Sequence, residues 1–153
     1  MKGLSVGIDP GKNGGIAVID NDDGTVMLSP YSDEALLKTA KMLNCFEPNV
    51  AGAVCCLEKV GAMPKQGVVS TFNFGASYGY IKGVLESFRI PYQEITPQKW
   101  KKEFGLNSDK AASVEVCRRL FPNVNLLATP RCKKAHDGMA EALLMAEYAR
   151  RKL

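Results

Sequence analysis

Leu4-Ser5-Val6-Gly7-Ile8-Asp9, Pro10-Gly11-Lys12-Asn13-Gly14 and Gly15-Ile16-Ala17-Val18-Ile19-Asp20 follow one another near the start of the chain, and their reading decides the fold. Two runs of strand-forming residues flank a turn of Pro, Gly and Asn, which is the pattern of a β-hairpin. The first strand, read from Lys2, ends in a carboxylate, Asp9. Asn21-Asp22-Asp23-Gly24 is a second turn, and Thr25 to Leu28 is a short third strand, so the chain opens as a three-stranded antiparallel meander. Ser32 or Asp33 caps a helix running to about Phe46, with Leu36, Leu37, Ala40 and Leu43 on one face. Ala51-Gly52-Ala53-Val54-Cys55-Cys56-Leu57-Glu58 is apolar almost throughout, as expected of a strand buried on both faces of a parallel sheet, and it too ends in an acid.

Beyond Glu58, residues 61–67 form a Gly/Pro loop carrying Met63 as an apolar tip. Val68 to Phe88 reads as a long helix with Gly75, Ala76, Gly79 and Gly83 on a close-packing face. Its aromatic residues Phe72, Phe74, Tyr78 and Tyr80 fit a core or protein interface better than a stacking platform for bases. Pro91 to Ile95 is a fifth strand, and Thr96-Pro97 opens a short helix with Lys99, Trp100, Lys101 and Lys102. Ser108 caps a helix to about Phe121, stopped by Pro122, and a last helix runs from about Lys134 to Arg151. The order βββαβαβααα predicts an α/β fold: a mixed five-stranded sheet, three strands antiparallel and then two parallel, flanked by helices.

The chain has 153 residues, of which 46% are hydrophobic and 24% charged, as in a globular protein with its own core. One domain spanning 1–153 is expected. Lys and Arg total 20 against 16 Asp and Glu, a net charge of +4 that suits a nucleic-acid partner without requiring one. No apolar run reaches the roughly 18–20 residues of a membrane span, so no membrane partner is expected and the expected location is the cytoplasm. The cysteines, Cys45, Cys55, Cys56, Cys117 and Cys132, are odd in number and lack ligand spacing. They read as reduced, mostly buried thiols rather than a zinc site.

The chemistry rests on acids. Asp9 and Glu58 each end a strand, and in adjacent parallel strands they emerge at the carboxyl edge, where open α/β sheets gather their ligands. Asp137 and Glu141 lie four apart on one face of the last helix, among apolar neighbours, where acids need a neutralising cation. Four oxygen ligands without a His or Cys cluster describe a site for Mg²⁺ or Mn²⁺. Two such ions roughly 4 Å apart serve in-line phosphoryl chemistry, one activating a water and the other stabilising the departing 3′ oxygen.

Taken in order, these segments resemble the RuvC-type Holliday junction resolvases of the RNase H-like superfamily. Gly7-Ile8-Asp9-Pro10-Gly11 with Gly14-Gly15-Ile16-Ala17 is similar to the family's opening, and Leu57-Glu58-Lys59-Val60 to its second acidic motif. Ile95-Thr96-Pro97 with Lys101, and Ser108-Asp109-Lys110, resemble two lysine-bearing motifs. Lys133 to Leu144 resembles the closing acidic helix, especially of phage-encoded and chloroplast-type resolvases. Bacterial RuvC proteins usually place their last two ligands three residues apart on this helix. Here Asp137 and Glu141 are four apart with His136 beside them, so Asp137 ranks first, Glu141 second and His136 third for that part of the metal site.

The resemblance implies an RNase H-like fold, a homodimer, and paired Mg²⁺-dependent nicks across a four-way or otherwise branched DNA. Asp9, Glu58, Asp137 and Glu141 would be the acids, and Lys101 would stabilise charge on the phosphate. Lys110, Arg131, Lys133 and Lys134 would grip the DNA backbone. A two-fold protein on a two-fold junction matches two symmetric cuts. The cell implied is bacterial or phage-infected. Competing readings are a non-catalytic module binding branched DNA and an RNase H-like nuclease acting on RNA–DNA hybrids. A kinase lobe of the actin-like kind also opens on a hairpin with Asp-x-Gly, but such enzymes need two lobes and this chain holds one.

Overall fold

The hairpin of β1 (Leu4–Asp9) and β2 (Gly15–Asp20) is the middle of a five-stranded sheet. This is a computed structural model, and it describes residues 3–46 and 52–153. β3 (Val26–Pro30) pairs antiparallel with β2 at one edge. After α1 (Asp33–Phe46), the strand β4 (Ala53–Glu58) returns parallel to β1, and β5 (Tyr92–Ile95) pairs parallel with β4 after α2 (Val68–Ser87). The sheet order is β3-β2-β1-β4-β5, the mixed arrangement expected from the sequence. Three helices close the chain: α3 (Pro97–Glu103), α4 (Lys110–Leu120) and α5 (Asp137–Lys152).

Strand alternation sends side chains to two cores, one on each face. Val6 and Ile8 of β1, with Ile16 and Val18 of β2, pack with Leu36, Leu43, Ile81 and Leu85 of α1 and α2. Ala17, Ile19, Cys56 and Ile95 face the other way, onto α5, Trp100 and Cys117. Residues 138–149 of α5 are all buried. What lets the helix lie so low is missing side chains. A Cβ at Gly7 would stand 2.0 Å from the Ala142 carbonyl oxygen, and one at Gly138 would stand 2.0 Å from that of Asn13. No described helix is long and apolar enough to cross a membrane.

The structure corrects several element boundaries. β3 extends to Pro30 because Ser29 and Pro30 pair with Ile16 and Gly15, and an edge strand tolerates the missing N–H of proline. Asp109, not Ser108, caps α4, its Oδ1 accepting the Ala111 N–H at 2.9 Å. α5 starts at Asp137 rather than Lys134, because His136 Nδ1 accepts the Met139 N–H at 3.1 Å and caps the helix there. The expected starts of two strands, at Lys2 and Ala51, lie outside the described residues. α2 differs most from expectation. Gly75, Gly79 and Gly83 face open space rather than a close-packed neighbour, since only Ile81, Val84 and Leu85 of this helix are buried.

Of the thiols, Cys55, Cys56 and Cys117 are buried and Cys45 is exposed, and all five are free.

Candidate metal centre

The parallel register sets the first two acids. Ile8 stands opposite Leu57, so Asp9 and Glu58, next along each strand, leave the same edge of the sheet. α5 delivers Glu141 one turn into the helix, over that edge. Ligand oxygens of Asp9, Glu58 and Glu141 all lie within 4.8 Å of one another. Glu141 is 6% exposed, so this is a pocket of half-desolvated carboxylates rather than an acidic surface patch.

Electrostatics follow from that crowding. Asp9 is pushed up to about 8, first by burial and then by the charges of Glu58 and Glu141, with Lys110 and Lys101 opposing. Glu58 is also raised by burial and by Glu141, while the hydrogen bond from Trp100 works the other way. Three carboxylates this close, one of them inclined to keep its proton at neutral pH, lack positive charge. An all-oxygen donor set of this kind fits a hard divalent cation such as Mg²⁺ or Mn²⁺. Binding an ion would release the Asp9 proton.

The lysines supply some of the missing charge. Lys101 Nζ lies 3.3 Å from Glu141 Oε1, its side chain 17% exposed, and its ammonium also sits 5.3 Å from the Trp100 ring centre. It is therefore an inward-facing cation at the acid cluster rather than part of a solvated face. Lys110 Nζ reaches Asp137 Oδ2 at 3.7 Å on a more exposed side.

The sequence-derived candidates thus separate. Asp9, Glu58 and Glu141 come together, with Lys101 against them. Asp137, one turn before Glu141, is outside that trio and pairs with Lys110. His136 spends Nδ1 on the helix cap and is likewise outside the trio. Lys110, Lys133 and Lys134 line one hollow of about 450 Å³ beside Asp137, together with Arg118, while Arg131 is exposed on the preceding loop. Met63 is 70% exposed at its loop tip and Phe72 is 75% exposed, whereas Tyr78 packs against the α1–α2 core.

Two neighbours of the acids were not apparent from sequence. Trp100, fully buried, donates Nε1–H to Glu58 Oε2 at 3.1 Å. Ser113, also fully buried, donates Oγ–H to Glu141 Oε1 at 3.3 Å. The one available signal was Trp100 itself: a lone Trp in a short helix following the strand next to Glu58 has an N–H that must find an acceptor when buried.

No family model matches the chain, and no curated protein matches it by sequence. Solved structures do. Thermus thermophilus RuvC is 17% identical over 97% of this chain and 96% of its own, with a TM-score of 0.58. The fold is that of RuvC. The same T. thermophilus protein in complex with Holliday junction substrate matches at 18% identity and TM-score 0.61, over 98% of this chain and 96% of that one. The yeast mitochondrial Holliday junction resolvase matches at 15% identity and TM-score 0.57, over 98% of this chain and 78% of its own. The RuvC likeness therefore spans the sheet, the α5 helix and the edge at which the acids meet.

Proposed function

We propose that this chain is a RuvC-type structure-selective endonuclease, one nuclease domain over 1–153, that resolves four-way or related branched DNA by paired metal-dependent hydrolysis. The single observation that carries the reading is the trio Asp9, Glu58 and Glu141, gathered within 4.8 Å at the carboxyl edge of a RuvC-like sheet. These three carboxylates would hold Mg²⁺ or Mn²⁺, with Asp137 at the flank for a second ion once Lys110 releases it. When bound, such ions supply the activated water and neutralise charge at the departing 3′ oxygen.

The chain's own groups do the rest. Lys101, now against Glu141, would exchange that contact for a non-bridging phosphate oxygen and add charge stabilisation where charge develops. Lys110, Lys133 and Lys134 around their hollow, with Arg131 at its approach, would hold the backbone and set its register. His136 keeps the first turn of α5, and with it Asp137 and Glu141, in place.

A second copy of the chain would supply the second cut. The exposed Val68, Val69 and Phe72 at the start of α2 offer an apolar surface for that homodimer. A bacterial or phage-infected cytoplasm is the setting this reading fits.

The test is nicking of a synthetic four-way junction beside a linear duplex and an RNA–DNA hybrid. Mg²⁺-dependent symmetric nicks in the junction, lost in Asp9→Asn while junction binding persists, are the expected result. Binding without nicking in both Mg²⁺ and Mn²⁺ would make the chain a junction-binding module, and preferential cutting of the hybrid would reassign its substrate.

A further inference from the structure

We infer that Trp100 is a positioning residue of the metal centre: its indole N–H fixes the Glu58 carboxylate through Oε2 and leaves Oε1 to face the divalent ion. This rests on the metal-dependent reading above and deepens it.

The argument begins with an unrestrained torsion. The last bond of a glutamate rotates in a broad, nearly two-fold well, so a carboxylate at a strand end has no intrinsic preference for which oxygen points where. Glu58 acquires one from Trp100 Nε1, 3.1 Å from Oε2. The donor is itself immobile. Trp100 is 0% exposed and belongs to the core under α5, and the ammonium of Lys101 lies 5.3 Å from its ring centre.

The donor is also neutral. Lys101 brings a positive charge that must yield to an incoming cation, whereas an indole N–H orients the carboxylate without competing for the site. Ser113 stands in the same relation to Glu141, as a buried neutral donor reached across 28 residues of chain. Two of the three clustered acids are thus each held by one buried, uncharged hydrogen bond, from α3 and α4 respectively. Hydrogen bonds of this class around metal ligands are typically worth about 10- to 100-fold in metal affinity.

The variant to make is Trp100→Phe, which keeps an aromatic ring in the core and deletes only the indole's donor and part of its volume. Calcium binding is read by calorimetry, with folding checked by circular dichroism. The Mg²⁺ concentration giving half-maximal junction nicking is measured alongside. The expected result is a roughly 10- to 100-fold weaker Ca²⁺ affinity and a matching rise in the Mg²⁺ requirement, with the nicking rate at saturating Mg²⁺ changed much less.

An unaltered chain offers a second readout. Trp100 is the only Trp, so its emission reports on the group beside Glu58. Ca²⁺ should shift that emission with the midpoint seen by calorimetry, and this titration decides the matter if Trp100→Phe fails to fold. A folded Trp100→Phe with wild-type Ca²⁺ affinity overturns the inference, as does calorimetric binding to the wild-type chain that leaves Trp emission unmoved. A wild-type chain that takes up no Ca²⁺, Mg²⁺ or Mn²⁺ overturns the metal reading itself, a result distinct from either of these.

Discussion

Among the described residues α2 and α5 are the two longest helices, and they meet the rest of the molecule in opposite ways. In α5 the stretch 138–149 is buried throughout, including the acids Glu141 and Glu147. In α2 three residues of 20 are buried, and its first turns hold Val68, Val69 and Phe72 out in solvent. α5 is pressed onto the sheet by glycines whose every missing Cβ is filled by backbone, while the α2 glycines face nothing. Close packing is thus concentrated beside the three acids proposed to hold a metal ion. Loose packing lies where a second copy of the chain is proposed to dock.

That contrast is broken or sharpened most strongly at the glycines. Gly138→Val places atoms into the backbone of Asn13 and Gly14 and should cost about 3 kcal/mol or more in denaturant unfolding. Gly79→Ala, an open helical site, should instead gain about 0.5–1 kcal/mol. Similar losses at both sites would erase the distinction.

Asp9→Asn comes next. It removes one of three crowded carboxylates, so the metal-free chain at pH 8 should become more stable, by about 1–3 kcal/mol, while divalent-ion binding is lost. A destabilised Asp9→Asn would mean that the carboxylate is held by favourable contacts rather than by crowding.

The pH dependence has the same origin. The folded chain keeps the Asp9 proton up to about 8, whereas the unfolded chain gives it up near 3.8. Between those values the folded state binds more protons, so Asp9 makes metal-free stability fall as pH rises through that window. Affinity for Mg²⁺ should rise over the upper part of the same window, with proton release seen as a buffer-dependent calorimetric heat. The smallest effect belongs to α2. Phe72→Ser should leave the stability of the single chain within about 0.5 kcal/mol while weakening self-association in sedimentation.

The fold was legible because local signals agree: period-2 runs, Pro/Gly/Asn turns and two apolar strands each ending in an acid. The register of β1 with β4 then brings Asp9 and Glu58 to one edge. The closing helix was harder to read. A spacing of four places Asp137 and Glu141 on one face but says nothing of how deeply each lies. That depth is set by the seating of Gly138 and Ala142 on the sheet, which puts Glu141 over the acids and leaves Asp137 to Lys110. The small residues of α2 read as a close-packing face, whereas α5 showed only apolar neighbours around its acids. The tertiary structure reverses that expectation: Gly138 and Ala142 of α5 meet backbone across the sheet, and the α2 glycines meet nothing. Trp100 and Ser113 escaped notice because their partners lie 42 and 28 residues away.

A crystal of the chain soaked in Mn²⁺ and measured for anomalous scattering addresses the central claim most directly. The account requires a peak within coordination distance of Asp9, Glu58 and Glu141 together. A peak that avoids those three carboxylates, or density showing them empty at saturating Mn²⁺, would contradict it.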